Sequence, residues 1–116
     1  MDTPLTGPLP EPAPAALQQI VRLSPEQIFA VGQRYLTERS DANTAARLWF
    51  VASDRGSADA SFAIAGFYDP ATWNQGPHPF TEPNPAKARE FYTLALQRGV
   101  VAARAALEAL GPGTTP

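Results

Sequence analysis

Side chains that ordinarily carry chemistry are scarce in this chain of 116 residues. His78 is the only histidine and cysteine is absent. That removes the usual zinc-ligand spacings, a thiol nucleophile and any choice of histidines for a serine–histidine–aspartate assembly. Asp69 lies near His78 in sequence without completing a ligand set, and the other carboxylates are spread over polar helix faces rather than paired as acid and base. Gly56 and Gly99 open no phosphate loop. Nine Lys or Arg against eleven Asp or Glu leave a formal charge of −2, with no basic stripe to neutralise nucleic-acid phosphates. No catalytic residue, metal or cofactor is expected. What remains is recognition chemistry: Arg47 and Lys87 for carboxylates or backbone carbonyls, Phe50 for apolar contact, and Glu90 and Thr93 beside them. Trp73, His78 and Phe80 form a second group in a proline-rich connection.

The elements that position these side chains are written twice. Ala45, Leu48, Trp49, Ala52, Gly56, Ala60, Ala63 and Ile64 recur 43 positions later as Ala88, Phe91, Tyr92, Ala95, Gly99, Ala103, Ala106 and Leu107. Each copy is a helical stripe, a glycine break and a second stripe, the pattern of a helical hairpin. An earlier half-unit is visible at an offset of 33, where Ala30, Val31, Gly32 and Tyr35 match Ala63, Ile64, Ala65 and Tyr68. The spacing predicts about two and a half hairpins, with helices over 15–21, 25–38, 42–55, 58–67, 85–98 and 100–110. Ser24, Asp41, Ser57 and Asn84 are the predicted N-caps, with Gln27 completing a capping box. Gly56 and Gly99 are predicted to stop helices in a left-handed conformation, with Arg55 and Arg98 against the negative helix ends. Small alanines on the buried stripes let helices approach closely, while Leu48, Trp49, Phe91 and Tyr92 fill the wider gaps.

The segments Ala45-Ala46-Arg47-Leu48-Trp49-Phe50-Val51-Ala52 and Asn84-Pro85-Ala86-Lys87-Ala88-Arg89-Glu90-Phe91-Tyr92, each followed by alanine, glycine and another alanine-rich helix, resemble Sel1-like repeats, relatives of the tetratricopeptide repeats. The resemblance runs from about Gln27 to Leu110. It implies an all-α, short right-handed α-solenoid of antiparallel helical hairpins. It also implies a noncatalytic adaptor or scaffold that holds a protein or peptide, often in bacterial signalling, envelope or host-interaction settings. The sequence departs from the pattern in its enlarged connection over 69–83.

Residues 1–23 read as a proline-rich flexible leader with a short opening helix at 15–21, 24–110 as the repeat domain, and 111–116 as a disordered tail. No cap follows Leu110, so its exposed face is open to another domain, another subunit or solvent. In the connection, Trp73 is expected to plug the opening between hairpins and Phe80 to seal the next one; the functional alternative presents Trp73, His78 or Phe80 to a partner. No apolar run is long enough to span a membrane and no secretory signal opens the sequence, so direct membrane insertion is not expected and the chain as written reads as cytoplasmic. A parent protein could be envelope-associated or secreted. The expected function is binding of a protein or peptide on a curved repeat surface. The principal alternative is a structural spacer or self-association module, and a weaker one is a small enzyme with a site assembled from distant residues.

Overall fold

Four helices begin where a side chain takes over an otherwise unpaired amide. The computed structural model describes residues 7–73 and 76–111. Among these it contains no strand and six helices: α1 Pro14–Ile20, α2 Pro25–Arg39, α3 Ala42–Asp54, α4 Ala58–Tyr68, α5 Pro85–Gln97 and α6 Ala102–Leu110. Ser24 and Gln27 form the reciprocal capping box of α2. Asp41, Ser57 and Asn84 accept from the amides of Thr44, Ala60 and Lys87 at 3.0, 3.1 and 3.1 Å. All four caps are those the sequence predicts, and the helix bounds agree to within two residues.

The first helices of the two clear copies end identically. Gly56 and Gly99 have φ of 108° and 106°, which glycine alone adopts without strain. Their amides donate to Ser53 and Leu96, both at 3.0 Å, and the next amides, of Ser57 and Val100, reach back to the Ala52 and Ala95 carbonyls, both at 2.9 Å. The latter bonds are the long-range closures of a Schellman-type stop.

Packing repeats as well. Trp49 and Tyr92 are buried at equivalent positions of α3 and α5. Each meets the matching phenylalanine of the preceding helix: Trp49 lies 5.6 Å from Phe29 of α2, and Tyr92 lies 5.5 Å from Phe62 of α4. Each also spends its polar tip nearby, the indole N–H on the Phe29 carbonyl at 3.0 Å and the phenol on Asp69 Oδ2 at 2.7 Å. Thus α2 packs chiefly on α3 and α4 on α5, with the α3–α4 and α5–α6 hairpins linking the layers into a stack of 53 × 27 × 19 Å. This is an all-α architecture of paired helical hairpins.

Charge pattern distinguishes the inner layer from the outer one. Ser61 and Ala65 of α4 are fully buried, whereas the residues 43 positions on, Arg104 and Glu108 of α6, are exposed. α4 is covered on two sides and α6 on one, so α6 turns a polar face to water.

Two expectations need correction. Arg55 and Arg98 do not simply sit at the ends of their own helices. Arg98 reaches the preceding hairpin, donating to the Ser53 carbonyl at 2.8 Å and the Ser61 hydroxyl at 3.1 Å, and Arg55 donates to the Val21 carbonyl just past α1. A guanidinium is long enough to satisfy a neighbour's terminal carbonyl, which ties layers together. The leader is likewise not wholly a tether. Leu9 is 5% exposed within the main core, and the Pro10 carbonyl accepts from the Tyr35 hydroxyl at 2.7 Å. One leucine in a proline-rich stretch carries no periodic signal, yet it finds an apolar surface beside α2. Residues 1–6 of the leader and the tail beyond Gly111 lie outside the described residues.

Candidate functional site

The connection after α4 is an insertion into an otherwise continued repeat. The Asp41 amide donates to the Tyr35 carbonyl at 3.0 Å and, one repeat later, the Asn84 amide donates to the Tyr68 carbonyl at 2.8 Å. Between these matched anchors lie five residues (36–40) in the first case and fifteen (69–83) in the second. The insertion starts where Pro70 forces Asp69 out of helical conformation, at φ −70° and ψ 122°.

Asp69 then organises the loop. It is 5% exposed; Oδ1 accepts from the Ala71 amide at 2.9 Å and Oδ2 from the Tyr92 hydroxyl at 2.7 Å. Burial, and secondarily Asp69, push the Tyr92 phenol well above its ordinary pKa. The Asp69 carbonyl accepts from the Thr72 and Trp73 amides, while the Thr72 hydroxyl donates to the Gly66 carbonyl at 2.6 Å. This turn holds Trp73, whose ring stacks on His78 at 4.1 Å; His78 Nδ1 in turn lies 2.8 Å from the Phe80 carbonyl. Phe80 stacks on Tyr68 at 4.4 Å and meets the edge of Phe67 at 6.3 Å.

Phe80 packs back on the last turn of α4, on Phe67 and Tyr68, rather than sealing the next hairpin. Trp73 is not a plug: with His78 it walls an open cleft of about 540 Å³ whose other sides are Leu36 and Thr37 of α2, Ser40 just past its end, Trp49 of α3, and Ala63, Gly66 and Phe67 of α4. Among the described residues no aspartate, glutamate, lysine or arginine lines it. The Trp73 Nε1 is buried with no hydrogen-bond partner among the described residues. Such a cleft suits an uncharged, apolar group. Among the described residues no cluster of three or more histidine, aspartate or glutamate side chains could hold a metal.

The remaining sequence candidates lie elsewhere. Arg47, Lys87, Glu90 and Thr93 are exposed; Lys87 and Glu90 pair with each other at 3.5 Å. Phe50 is half-buried, edge-on to Phe91 at 5.8 Å. Arg47 is two residues from Trp49, hence on nearly the opposite side of α3. The structure thus separates the candidates into a stripe along α3 and α5 and the loop-walled cleft, and joins only Trp73 and His78 in the cleft. Leu36, Ala63 and Phe67 are cleft residues that sequence reading does not single out, because their spacing is that of ordinary core positions. No helix is long and apolar enough to cross a membrane among the described residues. Compared with protein-family models, curated proteins and solved structures, the chain matches none of them.

Proposed function

We propose that the chain is a Sel1-like, right-handed helical-repeat module that holds another protein without catalysing a reaction, and that its partner places an apolar side chain in the cleft between α2, α4 and the inserted loop. The carrying observation is that the repeat geometry resumes after the insertion, from the same tyrosine-to-cap hydrogen bond, while the added residues wall a cleft. Loops grafted on a regular scaffold in this way are where repeat proteins place recognition. Arg47, Phe50, Lys87, Glu90 and Thr93 line a separate stripe that extends the contact surface without contributing to the cleft.

Selection of a displayed peptide library against the folded chain tests this reading. Enriched peptides are expected to share a large apolar residue, and Ala63→Trp, which fills the cleft, is expected to abolish their binding with the helical circular-dichroism signal intact. Arg47→Ala with Phe50→Ala is expected to weaken binding only partly. Failure to enrich any sequence, or binding indifferent to Ala63→Trp, would sink the assignment.

A further inference from the structure

We propose that the α2 surface formed by Tyr35 and Arg39 is a second recognition site, for an extended segment of another protein carrying leucine, proline and an acidic residue in succession, and that residues 9–11 of this chain occupy it in cis. The occupant defines the chemistry. The Pro10 carbonyl accepts from the Tyr35 hydroxyl at 2.7 Å and from Arg39 at 3.2 Å, and the Leu9 carbonyl accepts from the same guanidinium. Arg39 also lies over the Tyr35 ring, 5.9 Å from its centre, and 4.0 Å from the Glu11 carboxylate. The Leu9 side chain is buried in the core.

The site presents donors and the segment acceptors. A proline-containing strand lacks amide hydrogens at its prolines and keeps its carbonyls free for outside donors, the basis on which such segments are generally read. Leucine supplies the apolar anchor and the acidic residue the pairing with Arg39. A different contact occupies the matching tyrosine one repeat on. Tyr68, which matches Tyr35, carries Phe80 stacked on its ring just after Pro79.

The tethered leader is a modest ligand: one buried side chain and two carbonyls, with Glu11 89% exposed. Its advantage is the tether, which fixes its effective concentration in the millimolar range. An identical leader from a second copy makes no better contacts and loses to the one in cis. A segment of another protein that continues beyond these residues along the surface can win.

The probe is the labelled heptapeptide Gly-Pro-Leu-Pro-Glu-Pro-Ala, the sequence of residues 7–13, titrated by fluorescence anisotropy into the full chain and into its Leu9→Asp variant. The variant, with its leader unseated, is expected to bind at least tenfold more tightly than the unaltered chain. Adding Arg39→Ala is expected to weaken that binding at least tenfold. Equal binding by the two chains, or none by folded Leu9→Asp at millimolar peptide, overturns the proposal. So does melting of α2 in Leu9→Asp, seen as loss of amide protection at Val31, because the leader is then a strut of the fold rather than a ligand. Dimerisation of the unaltered chain with Leu9 exchanged between copies would assign the surface to self-assembly and equally refute a foreign partner. None of these outcomes depends on the cleft.

Discussion

Replacing Gly32 by alanine places a methyl group 2.5 Å from Trp49 Nε1 and 2.7 Å from its Cδ1, with the Ala45 carbonyl oxygen at 3.4 Å. The indole is packed between Phe29 and Phe67, at 5.6 and 5.0 Å, so it cannot swing aside without loss. Overpacking of this kind costs about 1–3 kcal/mol. Breaking the indole bond to Phe29 adds about 0.5–1.5 kcal/mol, and the better helix propensity of alanine returns roughly 0.5–1 kcal/mol. The net expectation is destabilisation by about 1–3 kcal/mol, or roughly 3–6 °C in Tm for each kcal/mol. The next repeat holds the solution: Ala65, which matches Gly32, is fully buried and Tyr92 stands where Trp49 does. Trp49→Tyr alone should cost about 1–3 kcal/mol through lost packing. Combined with Gly32→Ala it recreates the Ala65 and Tyr92 pair, and the two changes should couple favourably by at least about 1 kcal/mol. Urea unfolding followed by circular dichroism on the four proteins measures this cycle. A neutral or stabilising Gly32→Ala, or strict additivity in the double variant, would refute the claim that successive hairpins share one packing geometry.

Gly56→Ala and Gly99→Ala should destabilise almost equally, by about 1–2 kcal/mol each, because the two backbones share a φ near +107° and no atom lies within 4 Å of either new methyl. Chemical denaturation of each variant checks the equality; a difference beyond about 1 kcal/mol would separate the two turns. Alkaline pH should unfold the chain through its tyrosines. Burial raises the phenols of Tyr92 and Tyr35, so their protonated forms support the fold; that contribution is complete below the unfolded value near 10 and is lost as pH rises through the folded values. Absorbance at about 295 nm should show these phenols ionising late and together with loss of helix. Tyr92→Phe should remove part of the late ionisation, and early, independent titration would contradict the burial.

Helix placement was legible because its signals are local. Ser24, Asp41, Ser57 and Asn84 announce starts through side chains that reach three residues on, and Gly56 and Gly99 announce stops through a conformation other residues resist. The two offsets carried the packing with them, since Trp49 and Tyr92, matched at 43, meet Phe29 and Phe62, matched at 33. The cleft was only half legible. Trp73 and Phe80 stood out as costly residues to expose in a proline-rich connection, but the stacking of Trp73 on His78 and the contribution of Leu36, Ala63 and Phe67 depend on three elements distant in sequence. The docking of Leu9 was not legible at all, because a single apolar residue has no period to read.

The difference between the 33-residue and 43-residue offsets explains how the stack tolerates the loop. Both connections end on the same bond, from a helix-capping residue to a tyrosine carbonyl, so the following helix arrives in the same place whether five or fifteen residues intervene. Tripling the loop costs only about 1 kcal/mol of closure entropy, and packing of Phe80 on Tyr68 and Phe67 offsets a loss of that size. Phe80, Asp69 and Thr72 thus attach the insertion to the helices, Asp69 through Tyr92 and Thr72 through the Gly66 carbonyl. Trp73 and His78 stack on each other at the cleft wall, where the helices do not need them to stay in register. Attachment of the insertion thus falls chiefly on Phe80 and Asp69, while Trp73 and His78 line the cleft.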